Sequence, residues 1–145
     1  MIDVRAAILI HRPRPIVAGY MFDAHNDAAW TTGVVACRPL TDGALRPGSR
    51  VERVTKFLGR QFTYQYSVTA RDDDRAIDIG VDDPFPMRIR YELLDDAEGT
   101  LASIRARGEA GRFFRIAGPL LALMVRRNLA RDLTALKARL ENGAG

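Results

Sequence analysis

Three tyrosines are the residues whose type and spacing best suit contact with a small molecule. Tyr64 and Tyr66 stand two apart in one run of alternating polarity, and Tyr91 lies in a second such run. Alternate residues of a strand share a face. Tyr64 and Tyr66 therefore project with Phe62 and Val68, while Tyr91 projects with Met87, Ile89 and Leu93, leaving Arg88, Arg90 and Glu92 on the other side. A phenol brings an apolar ring and one hydroxyl that needs a partner once buried. Such hydroxyls read in two ways. They orient the carbonyl or phenol oxygens of an apolar guest, or they are core tyrosines satisfied by backbone or water.

Other reactive residue types point to less. Consecutive side chains on an extended segment diverge, so Asp72, Asp73 and Asp74 suit a hairpin turn better than a metal cluster. His25 lies beside Asp23 and Asn26; its ordinary pKa near neutrality would suit a general base, but an exposed loop is the preferred reading. Cys37 is the single cysteine and, with His11 and His25, leaves no disulfide and no multi-ligand transition-metal site. No local His supports Cys37 as a nucleophile, and a plain buried thiol is expected there. Gly43, Gly48 and Gly59 fall in turns without the strand-to-helix setting of a phosphate loop. No cofactor is expected. In residues 50–58, Val51 and Phe57 oppose Val54 and Leu58 in parity. One register turns Arg53 inward, where it could pair with a ligand carboxylate, and the other leaves it in water.

The chain has 145 residues, 47% hydrophobic and 28% charged, which fits one folded unit over residues 1–145 and excludes disordered and fibrous classes. The net charge is +4, but Arg5, Arg50, Arg88, Arg105 and Arg139 are dispersed among acids, so no nucleic-acid partner is expected. The longest apolar run, Ile116 to Val125, is half of the roughly 20 residues a membrane span needs, so no stable membrane insertion is expected. The stretch from Ala6 to Ile10 is too short for a secretory signal core, and a cytoplasmic location is expected. The sequence admits a homodimer.

Punctuation and periodicity supply the elements that would position these side chains. Ile2 to His11 reads as a first strand, stopped by Pro13 and Pro15. Ile16, Val17, Tyr20 and Met21 predict a short helix from Pro15 to about Asp23, and Asn26 or Asp27 can cap a second one closed by Trp30. Turn residues then cut strands of roughly 34–40, 50–58, 61–70, 74–81, 87–94 and 100–108, an antiparallel meander. Ala102, Ile104 and Ala106 face inward in the last. From Arg112 to Glu141 a helical pattern carries Leu121, Val125, Leu129, Leu133, Leu136 and Leu140 as one stripe, with Pro119 starting or kinking the main helix and Asn142-Gly143 ending it.

This order is similar to the α+β helix-grip fold of the START-like (SRPBCC) superfamily, in which a seven-stranded antiparallel sheet wraps a long C-terminal helix. The chain resembles the polyketide cyclase/dehydrase and lipid-transport family in Arg12-Pro13-Arg14-Pro15-Ile16-Val17, Asn26-Asp27-Ala28-Ala29-Trp30 and Gly48-Ser49-Arg50. The likeness continues in Phe85-Pro86-Met87, Gly99-Thr100, Asn128-Leu129-Ala130-Arg131-Asp132-Leu133 and Leu136-Lys137. It implies a cavity between sheet and long helix, lined by Trp30, Tyr64, Tyr66, Ile89 and Tyr91 on one side and Leu120, Leu121, Met124 and Val125 on the other. The small Ala102 and Ala106 favour a void there. The partner this implies is a hydrophobic or amphipathic small molecule such as a lipid, isoprenoid or polyketide-like compound. The alternative is a polyketide cyclase/dehydratase-type enzyme using the same cavity, with the tyrosines or His25 moving protons. A second alternative is a protein or RNA interaction module with a closed core.

Overall fold

A computed structural model describes residues 2–57, 59–82, 86–108 and 118–143, with the backbone alone at residues 57 and 118. The elements run β1 (Ile2–Ile10), α1 (Arg14–Met21), a 3-10 turn (Ala24–Asn26), α2 (Asp27–Trp30), β2 (Val34–Pro39), β3 (Arg50–Phe57), β4 (Arg60–Asp72), β5 (Ala76–Val81), β6 (Met87–Asp96), β7 (Gly99–Gly108) and α3 (Gly118–Glu141). All pairings are antiparallel in the order β1-β7-β6-β5-β4-β3-β2, so a six-strand meander is closed by the first strand beside the last. The α+β helix-grip expectation is met, with two short helices between β1 and β2.

Local chemistry sets the helix ends. Pro13 precedes α1 in extended backbone and Pro15 lies in its first turn, where a missing N–H removes no helical bond. The helix stops at Met21 rather than near Asp23, because Asp23 starts the next turn by accepting His25 N at 3.0 Å. In α3, Pro119 stands directly after Gly118 and starts the helix rather than kinking it. The expected turn at 112–117 lies outside the described residues.

The long helix packs chiefly against β1, with smaller contacts to α1, α2 and β7. Its stripe behaves as the periodicity predicts: Leu121, Leu133, Leu136 and Leu140 are fully buried and Leu129 nearly so. Polar groups hold its far end to β1. Lys137 Nζ donates to Leu9 O at 2.6 Å and to Glu141 at 2.7 Å, while His11 N donates to Glu141 Oε2 at 2.8 Å.

Two irregularities adjust which side chains face the helix. The register shifts between Val34 and Ala36, so Val34 and Cys37 both point inward although an odd step separates them. It shifts again between Val68 and Ala70, after which Arg71, and not Ala70, pairs with inward-facing Ile77. An extra residue of this kind re-aims the side chains beyond it. β5 begins at Ala76 and not at residue 74, because Asp73 adopts φ 47° and Arg75 N bonds Asp72 O at 2.8 Å to close the turn. Among the described residues no group of His, Cys, Asp or Glu could hold a metal ion, and no helix is long and apolar enough to cross a membrane.

Candidate functional site

The open register of β3 resolves with Val51, Arg53 and Thr55 inward, at 0, 3 and 8% exposure, so Arg53 enters the interior as a charged group. Its partner comes from another element. Asp27, the first residue of α2, is 2% exposed and accepts from Arg53 Nε at 3.1 Å and Nη2 at 2.9 Å, both at Oδ2. Tyr66 donates its hydroxyl to the same oxygen at 3.0 Å, and Cys37 Sγ stands 3.5 Å from it. The third guanidinium nitrogen, Nη1, donates to the Tyr64 hydroxyl at 3.2 Å. The Arg53 guanidinium also lies over the Tyr66 ring, 4.6 Å from its centre.

Desolvation dominates the electrostatics. Burial pushes the Arg53 guanidinium down, but the Asp27 carboxylate, helped by Tyr64, Tyr91 and Tyr66, more than offsets it and holds it well above the ordinary arginine range. Burial raises Tyr66, with Arg53 opposing and Asp27 adding, and lifts Tyr91 to about 12 against the opposing charge of Arg53. Cys37 rises to about 12, first through burial and then through Asp27, so its thiol is a weak donor to Ala24 O at 3.1 Å and not a nucleophile.

Beside this cluster, Trp30 meets Tyr91 edge-on at 5.6 Å, and Phe22 stacks on Tyr91 at 6.5 Å. Trp30 Nε1 and Thr31 Oγ1 are buried with no hydrogen-bond partner among the described residues. Asp132 on α3 reaches across to accept Thr32 N at 2.5 Å; burial raises its carboxyl, and the Thr32 bond partly offsets this.

The residues expected to line a cavity divide. Trp30, Tyr66, Tyr91 and Leu121 belong to one packed cluster, with Tyr64, Ile89 and Val125 half-buried against it. Leu120 departs from the expected wall, since it is 54% exposed. Met124 is half-buried outside that cluster. The cause is helical phase: the four-residue pair Leu120 and Met124 sits one step around α3 from Leu121 and Val125. His25 is exposed, with Nδ1 at 2.9 Å from Asp23 Oδ1. Sequence reasoning missed Asp27, read only as a cap; its side chain makes no cap bond. The available signal was an acid next to Ala28, Ala29 and Trp30, in a segment otherwise small and apolar.

Comparison with known proteins bears on the same architecture. No match was found among curated proteins. Among solved structures, TTHA0849 from Thermus thermophilus superposes with a TM-score of 0.81 at 18% identity, covering 99% of both chains. A START superfamily protein from Mycobacterium smegmatis gives 0.80 at 15% identity, covering 97% of each. The di-domain ARO/CYC BexL from the BE-7585A biosynthetic pathway gives 0.74 at 16% identity, over 97% of this chain and 47% of that one. At these identities the likeness is one of fold, and all three share it across nearly the whole of this chain. The family model described as polyketide cyclase / dehydrase and lipid transport matches residues 1–141. With a helix-grip architecture and a family match running from the first strand to the end of the last helix, the chain belongs to the polyketide cyclase / dehydrase and lipid transport family.

Proposed function

We propose that this protein encloses a hydrophobic or amphipathic small molecule bearing at least one oxygen, such as a lipid, isoprenoid or polyketide-like compound, between the sheet and α3. The observation that carries the reading is the Asp27–Arg53–Tyr64 relay. Tyr64 accepts from Arg53, so its own hydroxyl hydrogen is directed elsewhere, and Tyr64 is only half-buried on the inward face. That hydrogen would donate to a carbonyl or hydroxyl of the guest. Phe62, Ile89 and Val125, also half-buried, would supply apolar contact at about 25 cal/mol per Å² removed from water. The buried Trp30 Nε1 offers a further donor without an acceptor among the described residues, a condition that costs about 1–3 kcal/mol unless something satisfies it.

Native mass spectrometry of protein purified from cells tests this. Retention of an apolar guest is expected, and Tyr64→Phe should weaken its binding roughly threefold to tenfold, the worth of one hydrogen bond. Protein that comes out empty from every expression host, and binds no member of a lipid and polyphenol panel, would sink the reading.

A cyclase/dehydratase reading uses the same residues. It is favoured by one observation: the Arg53 guanidinium, held charged by Asp27, donates to the Tyr64 hydroxyl and polarises it as a donor that would stabilise an enolate oxygen developing beside it. The family description and the ARO/CYC name of BexL are consistent with it. Turnover of a model poly-β-carbonyl thioester that is lost in Tyr64→Phe, with folding intact, would select it. Binding without turnover would select the carrier.

A further inference from the structure

A hollow of about 370 Å³ lies between α1, the 3-10 turn, the end of β2 and the loop that follows it, away from the Arg53–Tyr64 hydrogen bond. Phe22, Ala44 and Leu45 give it apolar walls. Gly19 leaves one side open, since a Cβ added there would meet no atom within 4 Å. Its charged lining residues are Asp23 and Arg71, and the bulge after Val68 turns Arg71 to this side of the sheet. Arg71 Nε donates to Asp73 O at 2.8 Å and Nη1 to Leu45 O at 2.6 Å, and the guanidinium lies 5.4 Å from the centre of the Phe22 ring. These contacts fix its plane. They do not neutralise it: among the described residues no carboxylate pairs with Arg71, and Nη2 has no partner. The acid in the lining, Asp23, accepts from His25 N at 3.0 Å and stands 2.9 Å from His25 Nδ1, both at Oδ1, and makes no ion pair with Arg71.

We propose that this hollow is a second binding site, independent of the interior one, for a small amphipathic carboxylate. Its apolar body would rest on Phe22 and Leu45 while its planar anion meets Arg71 Nη2. A fixed guanidinium suits a carboxylate because both groups are flat and can bond side by side. Arg71 brings one positive charge, and Asp23 in the same lining opposes a second negative charge, which favours a monoanion over a dianion such as phosphate.

Benzoate is the probe, titrated into the full chain and followed by ¹H–¹⁵N NMR, with benzyl alcohol as its neutral counterpart. Saturable shifts are expected at the amides of Gly19, Ala44 and Leu45, with benzyl alcohol at least tenfold weaker. Arg71→Gln should weaken benzoate at least tenfold. Gly19→Leu, whose side chain enters open space, should abolish binding without lowering the melting temperature; it decides the matter if Arg71→Gln does not fold. Benzoate shifts confined to Trp30 and Tyr91, equal binding of the alcohol, or undiminished binding by Gly19→Leu would each overturn the proposal.

Discussion

Arg53 and Asp27, 26 residues apart, meet through a single carboxylate oxygen, with Nε at 3.1 Å and Nη2 at 2.9 Å from Asp27 Oδ2. Both side chains are almost wholly out of water. Removing one member of such a pair leaves the other charged and uncompensated. Asp27→Asn is therefore expected to lower unfolding stability by about 3–5 kcal/mol in urea titrations. The double variant Asp27→Leu with Arg53→Met should recover much of that loss, because no bare charge remains. A double variant no better than the single one would show that the pair is not the source.

The half-buried thiol of Cys37 gives a second prediction. With its pKa at about 12, Cys37 holds little thiolate at pH 8. Alkylation by iodoacetamide should be roughly a thousandfold slower than for a free cysteine of pKa about 8.5, and ordinary in urea. Rapid labelling of folded protein would contradict the burial of Sγ against Ala24 and Asp27.

Asp132 sets a pH dependence. Its carboxyl is raised in the folded state, chiefly by burial, so the unfolded chain loses this proton first as pH rises. The folded state then binds more protons than the unfolded state, and this group's contribution falls with rising pH, from the ordinary Asp range up through the folded pKa. Asp132→Asn keeps an acceptor for Thr32 N and removes the titration. Its melting temperature relative to the parent should improve between pH 4 and pH 8. Comparison with the parent is needed because Asp3 and Glu141, both lowered by hydrogen bonds, titrate with the opposite sign. A constant difference across that range would refute the assignment.

Gly99 turns the β6–β7 hairpin against the end of β1 with φ 145°. A Cβ there would lie 2.2 Å from Ile10 O. Gly99→Ala should cost more than the roughly 1–2 kcal/mol of left-handed strain alone, read as a drop in the denaturation midpoint. By contrast, Gly19→Ala on α1 meets nothing within 4 Å and should be neutral or stabilising.

The phase of β6, β7 and of β4 as far as Val68 was legible from alternation: Tyr64, Tyr66, Tyr91 and Ala102 all face inward as parity requires. β3 was not, because Val51 and Val54 place apolar residues on both faces. What decides it is Asp27, from an element remote in sequence, and the β2 irregularity that sets Cys37 opposite Arg53. Pattern reasoning gave Asp27 a cap role because an acid at a helix start satisfies that role equally well. Leu120 was misplaced for a related reason: ten consecutive apolar residues carry no internal phase, and only the later leucines of α3 define which side is buried.

Pairing the first strand with the last has a consequence for synthesis. β1 leaves the ribosome well before its register partner, which runs from Gly108 back to Thr100. An unmatched strand edge rich in Ile and Val must therefore wait while the meander assembles, and it is open to other chains in that interval. Contacts so distant in sequence also slow the search for the native pairing. The yield of this protein should thus depend on translation rate and on chaperones that shield nascent chains, more than its finished stability alone would suggest.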